Sequence, residues 1–100
     1  MVQAERYGLK KDVVDAILPL AKKHKMKKII IFGSRARGDY KERSDIDLAV
    51  FGGETIKFSI EIEESVPTLL KFDIIDMDKP VQKELVDAIN KEGVVLYEEV

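Results

Sequence analysis

The chain has 100 residues, of which 45% are hydrophobic and 36% charged, and this ordinary globular composition at this length predicts a single domain over residues 1–100. It contains no cysteine, which excludes a disulfide framework, a thiolate metal site and a cysteine nucleophile. No apolar run approaches the roughly 20 residues of a membrane span, and the N-terminus has no signal-peptide core, so we expect a cytoplasmic protein.

The net charge of −2 conceals an uneven distribution along the chain. Residues 1–41 carry eleven Lys/Arg and four Asp/Glu, whereas residues 42–100 carry six and fifteen. The dense basic cluster KKHKMKK indicates either a solvated helix end or a patch that faces phosphate or RNA. The acidity of the whole chain argues against a nucleic acid as its direct partner.

The first half of the chain predicts a helix followed by two strands. Apolar residues at helical spacing run from Asp12 to His24, with Pro19 as a possible kink and His24 expected on the surface. The runs KKIIIF and DIDLAVF are short, rich in β-branched residues and ended by glycines, which is typical of buried strands. Between them, RGDY predicts a turn.

The second half begins with an ambiguous segment, Thr55–Ser65, which fits a helix or a strand; we favour a helix that ends before Pro67. LLKFDIIDM predicts a third strand, and DKPVQKELVDAINKEG a helix with Asp78 as N-cap and Gly93 as C-cap. VVLYEE is either a short final strand or a docked tail. This order predicts an α/β (α+β) protein, with a small mixed β-sheet and helices packed on one face.

The carboxylates with the clearest chemical meaning lie in the second predicted strand. Asp45 and Asp47 are two residues apart, so they project from one face while Ile46 and Leu48 face the core. Paired carboxylates repel each other and are costly to bury, so a positive partner is expected. That partner is either Mg²⁺, which takes one or two carboxylates together with substrate phosphates, or a pair of arginines from the nearby Arg35, Arg37 and Arg43.

The residues directly after the first strand suit a phosphate. Gly33 lets the backbone approach a ligand closely, and Ser34 offers a hydroxyl and an amide N–H. If SRARG begins a helical turn, its free N–H groups add an anion site. The alternative is an ordinary turn with a serine hydrogen bond.

A third acid lies in a later apolar strand. Asp73 stands between Phe72 and Ile74, where an acid needs a reason to be. Asp76 is a rival, but strand alternation places it on the opposite face. Three carboxylates support a site for two Mg²⁺ ions about 3.5–4 Å apart, as used for displacement at phosphorus.

The segment GSRARGDYKERSDIDLAV resembles the signature of the DNA polymerase β-like nucleotidyltransferases: Gly-Ser, ten residues, then Asp-x-Asp. Gly33–Ser34 and Asp45–Asp47 match it without a gap, and Asp73 matches the third acid. The short length, the GSRARG form, the FDIID strand and the KEGVVLYEE ending resemble the minimal nucleotidyltransferases, the MntA-type antitoxins paired with HEPN-domain (HepT) toxins.

The resemblance implies roles for these residues. Gly33 and Ser34 would bind the β- and γ-phosphates of ATP, Asp45 and Asp47 would ligate Mg²⁺, and Asp73 would complete a second metal site and help activate the acceptor hydroxyl. The implied reaction transfers AMP to a tyrosine of the partner toxin, releases pyrophosphate and silences an RNase.

Other positions and functions stay open. For Arg35 and Arg37 we expect phosphate or partner contacts, with a solvated loop as the alternative. The acidic segment 54–64 faces either a basic toxin or solvent. The competing functions are an antitoxin that neutralises its toxin by binding alone, and nucleotidyl transfer to a small molecule or RNA, for which larger relatives usually carry an additional domain.

Overall fold

The computed structural model describes residues 7–99, in which four helices and four strands alternate around one sheet. In chain order they are α1 (Lys11–Lys23), β1 (Lys28–Phe32), α2 (Ser34–Arg37), β2 (Ile46–Phe51), α3 (Thr55–Ser65), β3 (Phe72–Asp76), α4 (Lys83–Glu92) and β4 (Val94–Glu98). Over this described range, no helix is long and apolar enough to cross a membrane.

The sheet has the order β3-β2-β1-β4 and is mixed, as predicted. β1 pairs antiparallel with both β2 and β4, whereas β2 pairs parallel with β3. Because β2 and β3 start at the same end of the sheet, and β1 finishes there, three chain segments meet at that end. They are the turn after Phe32, the entry to β2 and the entry to β3.

The main core lies between one face of the sheet and the helices α1 and α3. In α1 the buried residues recur at helical spacing, at Val13, Ile17, Leu20 and Ala21. From α3 the core receives Phe58 and Ile62, and from the sheet it receives Ile29, Ile31, Ile46, Leu48 and Val50. Pro19 lies on the exposed side of α1, which continues through it.

The other face of the sheet is covered by α4, which differs from the expectation that all helices pack on one face. Ile30, Phe32 and Ala49 form a second cluster there with Ile89 of α4. The physical reason is the composition of β1, whose four consecutive apolar residues place apolar side chains on both faces. A second apolar face needs a second cover, and Ile89 with its neighbour Leu85 provides it.

The predicted start of α4 is wrong, because Asp78 is not its N-cap. The helix begins at Lys83 with Gln82 as N-cap, and it ends at Gly93 as predicted. The Asp78 carboxylate instead accepts the backbone N–H of Gly52 at 2.7 Å. The acid therefore joins two loops rather than capping a helix.

His24 is buried, with 7% of its surface exposed, although we expected it on the surface. It caps the C-terminus of α1, and its Nε2 lies 2.9 Å from Oε1 of Glu61 on α3. Lys23 donates to the same carboxylate at 2.9 Å. The Lys23 hydrogen bond, followed by that of His24, lowers the pKa of Glu61. This end of the basic cluster therefore joins two helices.

Candidate active site

The turn after β1 has a backbone conformation that favours glycine. Gly33 has φ +75° and ψ −152°, a region that residues with a Cβ essentially avoid. This glycine leads directly into α2, so SRARG does begin a helical turn. The first amides of a helix have no acceptor inside it, so the N–H groups that begin at Ser34 need acceptors outside α2.

The strand register brings two of the predicted acids side by side. Asp47 of β2 is paired with Asp73 of β3, so both side chains lie on the same face of the sheet. Asp45, two residues before Asp47, is close enough to raise its pKa. Ile46 and Leu48 are fully buried in the main core on the opposite face, as the alternation predicts. The three acids therefore gather at the end of the sheet where β1 finishes.

Asp76, the rival third acid, lies on the other face. Its register partner is Val50, a residue of the main core, whereas Asp73 pairs with Asp47. One Asp76 oxygen also accepts the backbone N–H of Asp78 at 2.9 Å. The structure thus places Asp73, and not Asp76, beside the acids of β2.

The electrostatics of Asp47 follow from this crowding. Its carboxyl is partly buried, and this desolvation is the largest cause of its raised pKa. The negative charges of Asp73 and Asp45 raise that pKa further, while the positive charges of Arg37 and Arg35 oppose the shift. A cation bound among these carboxylates would relieve the repulsion.

The turn and the acids form one site, because Gly33 lies directly against Asp47. A Cβ built on Gly33 would overlap Oδ2 of the Asp47 carboxylate and stand 3.1 Å from its Cγ. Any side chain at position 33 would therefore displace the acid. The backbone donors of the turn and the carboxylates of β2 face the same space.

The donor set fits magnesium shared with a phosphate ligand. Within residues 7–99, no three acidic, histidine or cysteine side chains converge so as to hold a metal ion by themselves. Magnesium does not need such a cage, since it keeps several waters and takes one or two carboxylates together with substrate phosphates. Asp45 and Asp47 can supply those carboxylates, with Asp73 next to them.

Arg35 does not present its guanidinium to this site, which corrects the expectation of a phosphate or partner contact. Only 1% of the residue is exposed. Its Nη1 donates to the carbonyls of Tyr7 and Gly8 at 3.2 and 3.1 Å, and its Nη2 donates to that of Ser44 at 2.8 Å. The side chain is neither solvated nor free for a ligand.

Arg37, unlike Arg35, remains accessible near the acids. Its side chain is 43% exposed, and it donates to Asp39 at 3.2 Å and to Glu92 of α4 at 3.1 Å. The hydrogen bond to Glu92, and then that to Asp39, raises the pKa of Arg37. Because its charge also lowers the pKa of Asp47, Arg37 lies within electrostatic reach of the candidate metal ligands.

Two partners of these arginines had no signal in the sequence. Glu92 lies 55 residues after Arg37, and Gly8 lies 27 residues before Arg35, so no local pattern connects them. The Tyr40 ring covers the Arg35 guanidinium at 4.9 Å, and its only sequence signal was its place in the loop between the two strands.

A cleft of about 1370 Å³ borders Asp45 but neither Asp47 nor Asp73. Its walls include Leu9, Val13, Tyr40 and Leu70. Asp45, at the entry to β2, therefore lies between this cleft and the acids Asp47 and Asp73.

Comparison with known proteins places the chain in a family. The family model described as "Polymerase beta, Nucleotidyltransferase" matches residues 15–100. Two relatives from Methanocaldococcus jannaschii, both provisionally named protein adenylyltransferases, are 45% identical over 51 residues and 35% identical over 79 residues. These matches cover 51% and 72% of this chain, and 49% and 80% of the respective relatives. The chain thus spans about half the length of the first relative.

Solved structures show the same fold at low sequence identity. A toxin-antitoxin with AMP-PNP has a TM-score of 0.68 at 20% identity, covering 86% of this chain and 73% of the other. A provisionally named nucleotidyltransferase from Sulfolobus solfataricus has a TM-score of 0.54 at 24% identity, covering 96% and 83%. With the fold, the matched family model and the more fully covered relative in agreement, the chain belongs to the polymerase beta nucleotidyltransferase family.

Proposed function

We propose that this chain is a Mg²⁺-dependent protein adenylyltransferase that transfers AMP from ATP to a tyrosine of a HEPN-domain toxin and thereby acts as an antitoxin. One observation carries the proposal: the Gly33–Ser34 turn, Asp45, Asp47 and Asp73 come together at one end of the sheet. The relatives named as protein adenylyltransferases and the toxin-antitoxin structures of the same fold support it.

The chain's own residues divide the work of binding. The amides that begin α2 and the Ser34 hydroxyl bind the β- and γ-phosphates, which the close approach of the Gly33 backbone permits. Arg37 adds a positive charge at the edge of the site. Asp45 and Asp47 would hold magnesium, with Asp73 completing a second ion site, and the metal would neutralise the charge of the triphosphate and of the leaving pyrophosphate.

Asp73 has a second task on the acceptor side. In the proposed reaction the tyrosine oxygen forms a bond to the α-phosphorus, the bond from that phosphorus to the bridging oxygen breaks, and pyrophosphate leaves. The phenol proton passes to the Asp73 carboxylate. Asp73 is exposed on β3, an edge strand of the sheet, so a hydroxyl carried by another protein can reach it.

We propose that the chain acts as one domain, since elements as distant in sequence as α1 and β4 contribute to one main core. We also propose that it acts in the cytoplasm. Its partners are the toxin and ATP, and nucleic acid is not a direct partner. The apolar outer face of α3, with Ile56 and Ile60 exposed at 69% and 54%, lies within the acidic segment that we expected to face either a basic partner or solvent.

The experiment is an intact-mass measurement of the partner HEPN-domain protein after incubation with this chain, ATP and Mg²⁺. We expect a gain of one or more AMP units, and none with the Asp45→Asn, Asp47→Asn double variant. A tight complex without a mass gain would instead support neutralisation by binding alone. Pyrophosphate release that requires an added small molecule or RNA would support the third function.

A further inference from the structure

Arg35 is a buried charge that pairs with carbonyls rather than with a carboxylate. Burying a guanidinium is costly unless its donors are satisfied. Its Nη1 holds two carbonyls in the segment before α1, and its Nη2 holds two in the loop before β2, those of Glu42 and Ser44. In the described part of the chain, no acid lies within ion-pair distance of it.

The shortest of these contacts lies directly beside a candidate metal ligand. The Ser44 carbonyl, which accepts from Nη2 at 2.8 Å, belongs to the peptide bond that leads into Asp45. On the other side of Asp45, the N–H of Ile46 donates to the carbonyl of Lys71 at 2.8 Å, where β2 joins β3. Asp45 is therefore fixed on one side by Arg35 and on the other by the sheet.

The other hydrogen bonds of the loop before β2 are local. The Ser44 N–H donates to the Lys41 carbonyl at 3.0 Å, and the Lys41 N–H donates to Oγ of Ser44 at 2.8 Å. Glu42, Arg43 and Asp45 are all exposed, and the large cleft lies on one side of the segment. Packing alone therefore does not fix the Asp45 backbone. The Arg35 fork supplies two hydrogen bonds at this point.

Arg35 lies directly beside the candidate phosphate turn. It is the second residue of α2 and follows the Gly33–Ser34 turn directly. Tyr40 covers the guanidinium from one side, and at Gly8 a Cβ would stand 2.5 Å from Nη1. The side chain is thus confined, and it connects the candidate phosphate turn to the candidate metal ligand.

We propose that Arg35 is a positioning residue that fixes the Asp45 backbone relative to the Gly33–Ser34 turn, so that a metal–nucleotide complex meets ligands already in place. The proposal rests on the proposed function for what the site binds. The Nη1 and Nη2 groups of Arg35 donate to all four carbonyls, whereas Nε is buried without a hydrogen-bond partner. The guanidinium is therefore oriented for the carbonyls, and its fifth donor is unused. A lysine retains the charge but lacks the planar fork that joins two segments.

The test compares Arg35→Lys and Arg35→Gln with a control, Arg43→Gln, which removes a positive charge from the exposed loop before β2. The readouts are Mn²⁺ affinity by electron paramagnetic resonance, with a non-hydrolysable ATP analogue present, and amide hydrogen exchange. Both Arg35 variants should weaken Mn²⁺ binding about 10- to 100-fold, as for residues that orient metal ligands. They should also lose protection locally, at residues 42–46, whereas Arg43→Gln should change neither property.

Two results would overturn the proposal. One is wild-type Mn²⁺ affinity in Arg35→Lys, and the other is a loss of protection spread evenly over α1, α3 and the sheet. If wild-type protein binds neither Mn²⁺ nor the analogue, the proposed function fails. The exchange comparison still decides the role of Arg35, because a local loss supports positioning and an even loss contradicts it.

A measurement on the wild-type protein covers the case in which neither Arg35 variant folds. Because Nε of Arg35 is buried, its N–H signal in a nitrogen-15 NMR spectrum should exchange slowly with water. The signal should also shift when Mg²⁺ and the ATP analogue are added. Fast exchange, or no shift on saturation with the analogue, would contradict the proposal.

Discussion

Gly33 and Asp47 are in direct contact, so closely that a methyl group on Gly33 would occupy the position of the Asp47 carboxylate. This contact joins the end of β1 to β2 and brings the backbone of the Gly33–Ser34 turn close to the Asp47 carboxylate. It also makes position 33 sensitive for two separable reasons, the backbone conformation and the space.

We predict that Gly33→Ala destabilises the fold and abolishes nucleotidyl transfer. The conformation alone costs about 1–3 kcal/mol for a residue with a Cβ, and displacement of Asp47 adds to it. Gly38→Ala is the matched control, since Gly38 also has a positive φ of +90° but its Cβ would meet nothing within 4 Å. Urea unfolding should show the larger loss for Gly33→Ala.

A double-mutant cycle separates the two causes. Asp47→Ala removes the obstructing carboxylate, so Gly33→Ala should cost less stability in that background than in the wild type. Equal costs in both backgrounds would mean that the contact between the two residues carries no energy.

We predict that Asp47→Asn raises the stability of the metal-free protein at neutral pH while abolishing transfer. The pKa of Asp47 is raised above its ordinary 3.8, so the folded state retains a proton that the unfolded chain has lost. Stability therefore falls as pH rises from 3.8 through the raised pKa. Unfolding curves across this range should show the slope in the wild type and its loss in the variant, and Mg²⁺ with an ATP analogue should stabilise only the wild type.

Glu61 should show the opposite dependence on pH. Its pKa is lowered from 4.5 by Lys23 and His24, so its contribution is present above 4.5 and disappears as pH falls through the lowered pKa. Glu61→Gln should reduce stability slightly at neutral pH and flatten the acid side of the stability curve. Glu63→Gln, an exposed change on the same helix, is the control, and equal curves for the two variants would contradict the prediction.

We predict that Asp73→Asn lowers the transfer rate by a factor of about 100 or more, as expected for loss of a group that accepts the acceptor proton. Asp76→Asn, on the opposite face of the same strand, should retain the wild-type rate. Single-turnover assays with saturating ATP and Mg²⁺ compare the two variants. If Asp76→Asn is the inactive one, the assignment of the third acid is wrong.

Arg37 and Glu92 provide a test of phosphate binding. The Glu92 carboxylate competes with a phosphate for the guanidinium, so Glu92→Gln should lower the KM for ATP, whereas Arg37→Gln should raise it severalfold. Steady-state kinetics over a range of ATP concentrations measure both effects. An unchanged KM in Arg37→Gln, together with a weaker complex with the toxin, would make Arg37 a partner contact instead.

Local sequence pattern was sufficient for features that depend on neighbouring residues. The shared face of Asp45 and Asp47 follows from strand alternation, and the helix at Thr55–Ser65 has the predicted bounds. The ambiguity of that segment has a physical cause. Phe58 and Ile62 are buried while Ile56 and Ile60 are exposed on the opposite side, so apolar residues occupy both faces of the helix.

Features that depend on distant residues could not be predicted. Arg35 and His24 look like surface residues in their polar surroundings, but both are buried by partners in other parts of the chain, which lie 27 and 37 residues away. The apolar residues of β1 likewise indicate that both faces of the sheet are covered. They do not indicate which helix covers which face, because that depends on the side on which the chain crosses the sheet.

The pairing of β4 with β1 has a consequence for synthesis of the chain. β1 receives its partner β2 early, but its other edge stays unpaired until residues 94–98 are made, and the cover from α4 arrives only shortly before. At ribosomal speeds this leaves a bare edge and an uncovered apolar face for roughly 2–10 seconds after residue 51. During that interval the nascent chain already carries the residues of its acidic site up to Asp73, although β4 has not yet paired with β1. The candidate nucleotide site is therefore synthesised before the edge of β1 is protected against aggregation.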